Sequence, residues 1–358
     1  GCPGGSVSYG DNQMTPEGKH ATVPVFVPHM ACPNDCVFCN QRRIAGTEKP
    51  IEDVYGCLRD EMSKMSKQFR EVDIAFFGGS FTGIGEAEMR RYLSAAAKIR
   101  QQDGRITGIR LSTRPDYIDP DILGILKEYG VTAVELGAQS MDDGVLALAG
   151  RGHTASDTVR AAGMIRDAGF ELVLQIMPGL PGSDEKKDLE TADAVFALKP
   201  DGIRIYPCTV IKQTKLEDMY LRGEYIPYTV EQAVDVCAKI AGKAQSEGVK
   251  ILRMGLHSSD LVRDNSVTAG PFHPAFGELV TQRIYLSRAE KLLDEVFREK
   301  KPEKIRLAVA KGHTSKMTGQ KRRNITYLEG KYSVKITVCE DENLAPGEIG
   351  VLENDDEK

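Results

Sequence analysis

Short runs rich in β-branched and aromatic residues alternate with helical segments between residues 22 and 206. This alternation is typical of βα units around a parallel sheet. The predicted strands are Val23–Val27, Val72–Phe77, Ile106–Leu111, Thr132–Leu136, Glu171–Met177 and Gly202–Tyr206. The helices predicted between them are about Glu52–Phe69, Glu86–Arg100, Pro120–Tyr129, Ser156–Ala168 and Glu185–Leu198. Six units are two short of a closed eight-fold barrel, so an open doubly wound sheet and a partial barrel both fit. In either fold the ligand lies at the carboxyl ends of the strands.

The 358 residues divide into four predicted segments: an arm (1–21), the βα region (22–258), a smaller α+β unit (276–340) and an acidic tail (341–358). The βα region ends with a helix at Val230–Ser246 and a strand near Lys250–Met254, and a loop is expected over Ser258–Ala275. The smaller unit is predicted to contain helices at Phe276–Phe297 and Gly319–Glu329 and strands at Ile305–Ala310 and Tyr332–Val338.

The charge is unevenly distributed along the chain, although the net charge is only −5. Lys311 to Lys335 contains seven basic residues and one acidic residue, a net +6, whereas Glu340 to Lys358 contains eight acidic residues and one basic, a net −7. The whole chain is therefore no polycation, but one element could attract phosphate groups. No stretch of about 18 apolar residues and no signal segment is present, so we expect a cytoplasmic protein without a membrane partner.

Three of the eight cysteines, Cys32, Cys36 and Cys39, follow the first strand in the spacing CxxxCxxC. Three thiolates from one loop can ligate three irons of a [4Fe–4S] cluster and leave the fourth iron open for a ligand. A zinc site is the alternative, with His29 or His20 as the fourth ligand, but structural zinc sites more often use two pairs of ligands. The scattered cysteines are interpreted as small buried hydrophobic residues.

The cysteine triplet resembles that of the radical S-adenosylmethionine (SAM) superfamily, and the resemblance extends over about residues 22–260. It implies that the open iron binds the amino and carboxylate groups of SAM. Gly78-Gly79-Ser80, at the end of the second strand, resembles the superfamily's glycine motif for the SAM amino group. The third position is usually Glu there, so backbone carbonyls would carry more of that contact here.

Several stretches are similar, in order and spacing, to the radical SAM domain of the Elongator catalytic subunit family, which modifies the wobble uridine of transfer RNA. They are Glu135–Ser140, Arg151–Thr154, Asp167–Phe170, Met177–Gly182, Asp201–Pro207 and Gly223–Tyr228. The first cysteine gap is shorter than in that family, and we expect no room for its acetyltransferase domain. Acetyl-CoA chemistry is therefore not expected.

Oxygen-independent coproporphyrinogen oxidase is a more distant resemblance, and matching its SAM contacts by position implies a SAM-binding set. The implied contacts are Phe26, Phe38, Gly79, Ser112, Gln139, Arg151 and Gln175. Ser112 and Gln175 replace acidic residues of that family. Arg151 is the natural partner of the SAM carboxylate, because a guanidinium can bind a carboxylate through two hydrogen bonds.

The resemblance implies that a low-potential donor of the flavodoxin or ferredoxin type reduces the cluster and that SAM is then cleaved to a 5′-deoxyadenosyl radical. Tyr206, Arg114 and Lys212 are the predicted catalytic residues. His153, Arg253 and His257 are further candidates for facing the substrate.

The basic segment Lys316, Gly319, Lys321, Arg322 and Arg323 resembles a K-homology RNA-binding element, in which a GxxG loop before a helix clamps the nucleic-acid backbone. Arg322 stands where the second glycine is usual. The alternative is a solvated helix whose charges only keep it soluble.

The sequence thus predicts a radical SAM enzyme on a partial (βα)6 TIM-like barrel with a small C-terminal α+β unit, acting on an RNA, in particular a transfer-RNA base. Two alternatives remain: radical chemistry on a small-molecule or porphyrin-type substrate, and a non-catalytic cluster or zinc protein.

Overall fold

The computed structural model of the protein describes residues 14–15, 18–27, 36–39, 51–256, 266–299 and 302–352. Cys32, His29 and His257, which the sequence singles out, lie outside the described residues.

The main sheet contains eight described strands, arranged in chain order from one edge to the other. The first pairs antiparallel with the second, and all later neighbours are parallel. The strands are β1 (Met14–Thr15), β2 (Gly18–Val27), β3 (Phe69–Gly78), β4 (Ile106–Thr113), β5 (Ala133–Gln139), β6 (Glu171–Ile176), β7 (Gly202–Ile205) and β9 (Lys250–Met254). Between the last two, β8 (Val210–Ile211) pairs with β10 (Val267–Ala269) in a separate small sheet, and β10 lies where the sequence predicts a loop.

Helices connect the parallel strands, as the alternating pattern predicts. They are α1 (Val54–Lys64), α2 (Glu86–Gln102), α3 (Pro120–Glu128), α4 (Asp143–Leu148), α5 (Ala155–Asp167), α6 (Glu185–Ala197), α7 (Lys215–Leu221) and α8 (Val230–Ser246). Polar N-cap residues fix several starts: the Asp119 carboxylate accepts from the Ile122 N–H, and Thr154 forms a capping box with Asp157. The helices α4 and α7 are not predicted, because six or seven residues are too few to show a helical period.

The face of the sheet that packs against the helices is apolar. Ile74 and Leu111 of the sheet and Leu93 and Leu126 of the helices are at most 1% exposed, and each fully buried side chain of this size stabilises the fold by about 1.5–3 kcal/mol. The alternating residues of the strands point to the opposite face.

That opposite face is concave and carries charged side chains. Arg110 of β4 reaches Glu171 of β6 at 3.1 Å, and Arg204 of β7 reaches Glu135 of β5 at 2.7 Å. Both ion pairs span an intervening strand, as side chains converging on a concave surface can do. The seven parallel strands therefore form a curled half-barrel, which confirms the partial barrel.

The C-terminal unit has its own three-stranded sheet and its own apolar core. Its strands lie in the order β12-β11-β13, with β11–β12 parallel and β11–β13 antiparallel. The elements are α9 (Phe276–Glu299), β11 (Lys304–Ala310), α10 (Thr314–Thr318), α11 (Arg323–Tyr332), β12 (Lys335–Asp341) and β13 (Ile349–Leu352).

Several boundaries differ from the sequence prediction; for example, the helix predicted to end at Phe69 ends at Lys64, and Phe69 begins β3. Strand β2 begins at Gly18, inside the predicted arm, and β13 lies inside the predicted acidic tail. The helix predicted at Gly319–Glu329 begins instead at Arg323, because the chain turns at Gly319 between α10 and α11. The strand β13 escaped prediction because only four residues of Ile-Gly-Val-Leu interrupt an acidic composition.

Helix α9 belongs to both cores. Phe276 and Val280 pack into the core of the half-barrel, whereas Tyr285, Ala289 and Leu293 pack into the core of the C-terminal unit. The two units are therefore joined by one continuous helix. No helix in the described part of the chain is long and apolar enough to span a membrane.

Replacing Val351 by Asp tests whether β13 is part of the C-terminal core. Val351 pairs with Leu307 and packs against that core, so the charge should lower the free energy of unfolding by about 1–3 kcal/mol, measured by urea denaturation. The control Glu342→Ala, at a side chain that is 81% exposed, should stay within about 0.5 kcal/mol of the wild type. Equal stability of both variants would contradict a structural role for β13.

Candidate active site at the carboxyl ends of the strands

The described part of the cysteine segment, residues 36–39, forms a tight turn. The Cys39 N–H donates to the Cys36 carbonyl at 3.0 Å, and Cys36 is buried whereas Cys39 is partly exposed. The turn is anchored on two helices, because the Val37 N–H donates to the Ala149 carbonyl at 3.0 Å and the Leu216 N–H donates to the Val37 carbonyl at 2.7 Å. The third cysteine of the predicted set, Cys32, lies outside the described residues.

The buried guanidinium of Arg151 lies beside Cys36. Its Nη1 donates to the Cys36 Sγ at 3.4 Å, and its Nη2 donates to the Gly137 carbonyl at 2.7 Å. A sulfur that accepts a charge-assisted hydrogen bond suits a metal-bound thiolate, which keeps lone pairs free. The sequence places Cys36 and Arg151 115 residues apart, and the fold brings together the predicted cluster ligand and the predicted partner of the SAM carboxylate.

Gly137 leaves the space that this arrangement needs. A Cβ at position 137 would lie 2.8 Å from Nε2 of Gln139 and 3.2 Å from Nη2 of Arg151. The side chains of Gln139 and Arg151 thus approach the backbone closely at Gly137, as is expected where a chain surrounds a ligand.

Gln139 has a left-handed backbone, with φ of 67°, at a point where the pairing of β5 with β6 shifts register. Non-glycine residues in this conformation are uncommon and concentrate at functional sites. Its Oε1 accepts from Nε2 of Gln175 at 3.3 Å. The structure thus brings together three of the predicted SAM contacts, Gln139, Arg151 and Gln175.

The predicted glycine motif lies at the end of β3, where Gly78 pairs with Val27 at the end of β2. Gly78 has φ of +110°, and a Cβ there would lie 2.7 Å from the Val27 carbonyl oxygen, so only glycine fits. The Ser80 hydroxyl lies 2.8 Å from that of Thr113 and accepts from the Arg114 N–H at 3.3 Å. The side chain of Ser80 therefore fixes the turn, which leaves the backbone of the motif to contact a ligand.

Arg114 is buried behind Arg151. Its guanidinium makes two 2.9 Å hydrogen bonds to the Asp116 carboxylate and donates at 2.6 Å to the Arg151 carbonyl. These contacts place Arg114 against Arg151, and its predicted role in catalysis stays a prediction. Asp116 was not singled out from the sequence. Its position two residues after Arg114 is the one sequence feature that could have indicated this ion pair.

The remaining predicted SAM contacts surround the same end of the sheet. Phe26 and Phe77 lie with ring centroids 6.4 Å apart, and Ser112 pairs in register with Glu135 of β5. Phe38 packs against a small apolar cluster that includes Val37 and Leu216.

Tyr206 follows β7 and is partly exposed on the concave face. Nη1 of Arg204 donates to its hydroxyl at 3.5 Å, and the Nε of the same guanidinium donates to Glu135 at 2.7 Å. Burial raises the pKa of Tyr206, so the phenol is protonated at neutral pH and its hydroxyl can donate. Glu135 and Arg204 were not predicted as site residues, because charged positions inside a predicted strand do not reveal which face they occupy.

Lys212 directly follows β8 and is exposed. Its backbone N–H donates to the Ser266 carbonyl at 2.8 Å, and its predicted catalytic role stays a prediction.

His153 is buried, with 5% of its surface exposed, and neither ring nitrogen makes a hydrogen bond within the described residues. Burial, followed by the charges of Arg151 and Arg114, lowers its pKa to about 4. His153 is therefore a neutral ring beside two guanidinium groups.

The position of His20 does not suit it to be the fourth ligand of a zinc site at the cysteines. His20 lies 3.2 Å from Asp73, at the opposite end of β2 from the cysteine segment, and seven residues of strand span roughly 23 Å. Within the described residues, no group of three metal-binding side chains is present.

Comparison with known proteins gives two family matches. The profile of the Radical SAM superfamily matches residues 26–195, and the profile of the Radical_SAM C-terminal domain matches residues 200–285.

The chain is also similar to curated proteins, one of which is named for transfer-RNA chemistry. It is 32% identical over 196 residues to the tRNA uridine(34) acetyltransferase of Methanocaldococcus jannaschii, covering 49% of this chain and 36% of that protein. It is 26% identical over 258 residues to Elongator complex protein 3 of Saccharomyces cerevisiae, covering 61% of this chain and 46% of that protein. The chain thus spans half or less of the length of these curated relatives.

A solved structure shares the fold. The archaeal Methanocaldococcus infernus Elp3 with an N-terminal deletion superposes with a TM-score of 0.60 at 26% identity, covering 76% of this chain and 63% of that one.

Replacing Gly137 by Ala should displace both Gln139 and Arg151, because the new Cβ would lie 2.8 Å and 3.2 Å from their side-chain nitrogens. We expect the affinity for SAM to fall at least about tenfold, the equivalent of about 1.4 kcal/mol, in anaerobic equilibrium binding with unchanged iron content. The control Gly163→Ala, on α5 with open space around the site, should bind SAM like the wild type. Unchanged affinity of Gly137→Ala would contradict this cradle.

Acid should destabilise the protein through His153. Unfolding returns the ring to water, where its pKa is near 6.5, so the unfolded chain binds a proton between pH 6.5 and about 4 that the folded chain excludes. The free energy of unfolding should fall by about 2 kcal/mol more between pH 7 and pH 5 in the wild type than in His153→Gln, measured by urea denaturation of the reconstituted protein. Parallel pH profiles would contradict a neutral buried ring.

Proposed function

Because the chain belongs to the radical SAM superfamily, whose enzymes use a [4Fe–4S] cluster and S-adenosylmethionine, we propose that it reductively cleaves SAM to modify a transfer-RNA base. When bound, the reduced cluster supplies one electron to the sulfonium, so that a C–S bond breaks into methionine and a 5′-deoxyadenosyl radical able to abstract hydrogen. A low-potential donor of the flavodoxin or ferredoxin type provides that electron.

The residues that would hold the cluster and SAM have side chains of the chemistry that each of them requires. Cys36 and Cys39, together with Cys32, would supply three thiolates to the cluster and leave one iron open for SAM. Arg151 would bind the SAM carboxylate while keeping its hydrogen bond to the Cys36 sulfur. This placement of one guanidinium between a cluster ligand and the Gly137 carbonyl is the observation that carries the proposed activity.

The other predicted contacts have complementary tasks. Backbone carbonyls of Gly78, Gly79 and Ser80 would accept from the SAM amino group, and the amides of Gln139 and Gln175 would bind its ribose and adenine edges. Ser112, Phe26 and Phe38 would complete the enclosure with one hydroxyl and two rings. Enclosure matters because a primary carbon radical abstracts hydrogen from accessible C–H and S–H bonds, and a closed site prevents such side reactions.

The concave face beyond these residues would receive the substrate. Tyr206 presents a protonated hydroxyl, held by Arg204, whose own charge is compensated by Glu135. Arg253 pairs in register with Arg204 on the neighbouring strand. Hydrogen-bonding groups of this kind suit a base edge and phosphate, which favours a nucleotide substrate.

The C-terminal loop supports RNA as the substrate carrier. The loop Gly319–Arg322, here called the GxxG-type loop, directly precedes α11, and its first and last residues have φ of 74° and 62°. Arg322 thus adopts the left-handed conformation that glycine takes easily. Lys321, Arg322 and Arg323 are exposed and, with Lys316, would bind phosphate groups.

Anaerobic reconstitution with SAM and dithionite tests the activity. We expect 5′-deoxyadenosine from the wild type, in larger amount when unfractionated transfer RNA is added, and a modified nucleoside after RNA digestion. Cys36→Ala should abolish the product. Arg151→Lys, which loses the planar fork, should weaken SAM binding by about 10- to 100-fold while iron content stays constant.

Arg166→Lys, on the surface of α5, is the matched control and should behave like the wild type. Absence of 5′-deoxyadenosine from an iron-loaded, reduced wild type would refute the proposed activity. Stimulation by a porphyrinogen and not by RNA would replace the proposed substrate.

A further inference from the structure

A groove of about 940 Å³ separates the carboxyl end of β9 from the GxxG-type loop. One wall is formed by Arg253 to Leu256 and the start of α9, and the other by α10 and the first residues of the loop. Its volume lies at the upper end of the range of ligand pockets, about 300–1,000 Å³. None of the residues proposed to hold SAM lines this groove.

We propose that this groove binds a single-stranded RNA segment, whose backbone is held by Lys316 and the GxxG-type loop and whose next nucleotide passes Arg253 toward Tyr206. The inference rests on the proposed function and adds the path by which the substrate reaches the half-barrel.

The chemistry of the groove fits a single strand. Lys316 and Arg253 provide positive charges on opposite walls, and Gln320 adds an amide, whereas the half-buried Met254 and Ile284 give an apolar surface for base faces. Unstacked bases expose apolar faces, but a duplex hides them in its stack and presents only phosphates and groove edges. One acidic residue, Glu278, also lines the groove, so its character is cationic but not uniformly so.

Arg253 connects the groove to the half-barrel. It pairs in register with Arg204, and the Gly255 N–H donates to the Ile205 carbonyl at 2.9 Å, so the ends of β7 and β9 lie side by side. β9 is the last strand of the sheet. A strand of RNA in the groove would therefore run along the sheet edge nearest to Tyr206.

The loop is tied to α9, which fixes the width of the groove. The Gln320 N–H donates to Oε1 of Gln282 at 3.1 Å, and Nδ2 of Asn324 donates to the Gln282 carbonyl at 2.9 Å. The preceding turn of α9 contains Val280 of the barrel core. Both walls are thus held by one helix, and a preorganised site loses less conformational entropy on binding.

Two variants test the groove without altering a core residue. Gln320→Trp fills the space with an exposed side chain, and Lys316→Glu reverses a charge. The probes are a ten-nucleotide single-stranded RNA, a duplex of the same length and unfractionated transfer RNA, bound to the reconstituted protein in fluorescence anisotropy at several salt concentrations. The control Lys335→Glu lies in the same unit at the other end of its three-stranded sheet, roughly 23 Å along β11 from α10.

For the single strand we expect at least a tenfold loss of affinity in Lys316→Glu and a fivefold loss in Gln320→Trp. Lys316→Gln should lower the slope of log K against log salt by about 1. The control should stay within twofold at physiological salt. A 4-thiouridine in the single strand should crosslink to the peptides that contain residues 251–256 or 274–284, and the duplex should compete poorly.

The outcomes separate the two levels of the proposal. If the wild type shows no salt-dependent RNA binding, the RNA part of the proposed function fails and the groove falls with it. If the wild type binds RNA but both groove variants bind equally well, only the groove inference is overturned. Displacement of the RNA by polyglutamate of equal charge would likewise overturn it, because that result would indicate an acidic protein segment as the occupant.

Discussion

The hydrogen bonds of Arg151 to the Cys36 sulfur and the Gly137 carbonyl join three parts of the chain that are distant in sequence. Burying a guanidinium costs free energy unless its N–H groups are hydrogen-bonded. These hydrogen bonds therefore hold the Arg151 side chain in one position. Asp116 compensates the second guanidinium, Arg114, which in turn holds the Arg151 carbonyl. These hydrogen bonds therefore hold the end of β5, the cysteine turn and the segment after α4 together.

The concave face has the opposite character from the packed interior of a closed barrel. Closed βα barrels fill their centre with branched apolar side chains, whereas here Arg110 and Arg204 form ion pairs across the face with Glu171 and Glu135. A half-barrel leaves this surface accessible to a large substrate. The same charges would orient a bound substrate, because a polar substrate must match these fixed donors and acceptors to displace water from the face.

The sequence predicted the order of the strands and helices of the half-barrel, since hydrophobic periodicity and glycine at strand ends are local signals. It also predicted that Gln139, Arg151 and Gln175 belong to one site, because motif resemblance encodes spatial proximity. It could not predict that Arg114 faces Asp116, since the direction of a side chain beyond a strand depends on packing. It missed β13, because a run of only four residues lies within an acidic segment. It also missed the break between α10 and α11, because a single turn at Gly319 interrupts an otherwise helical pattern.

Helix α9 determines where this chain could be divided. Its first turns complete the barrel core through Phe276 and Val280, and its later turns complete the other core through Tyr285 and Leu293. A cut at the sequence boundary before Phe276 would strip apolar side chains from the half-barrel. A chimera that exchanges the C-terminal unit for another substrate-binding module would therefore have to keep the whole helix and be joined after Glu299.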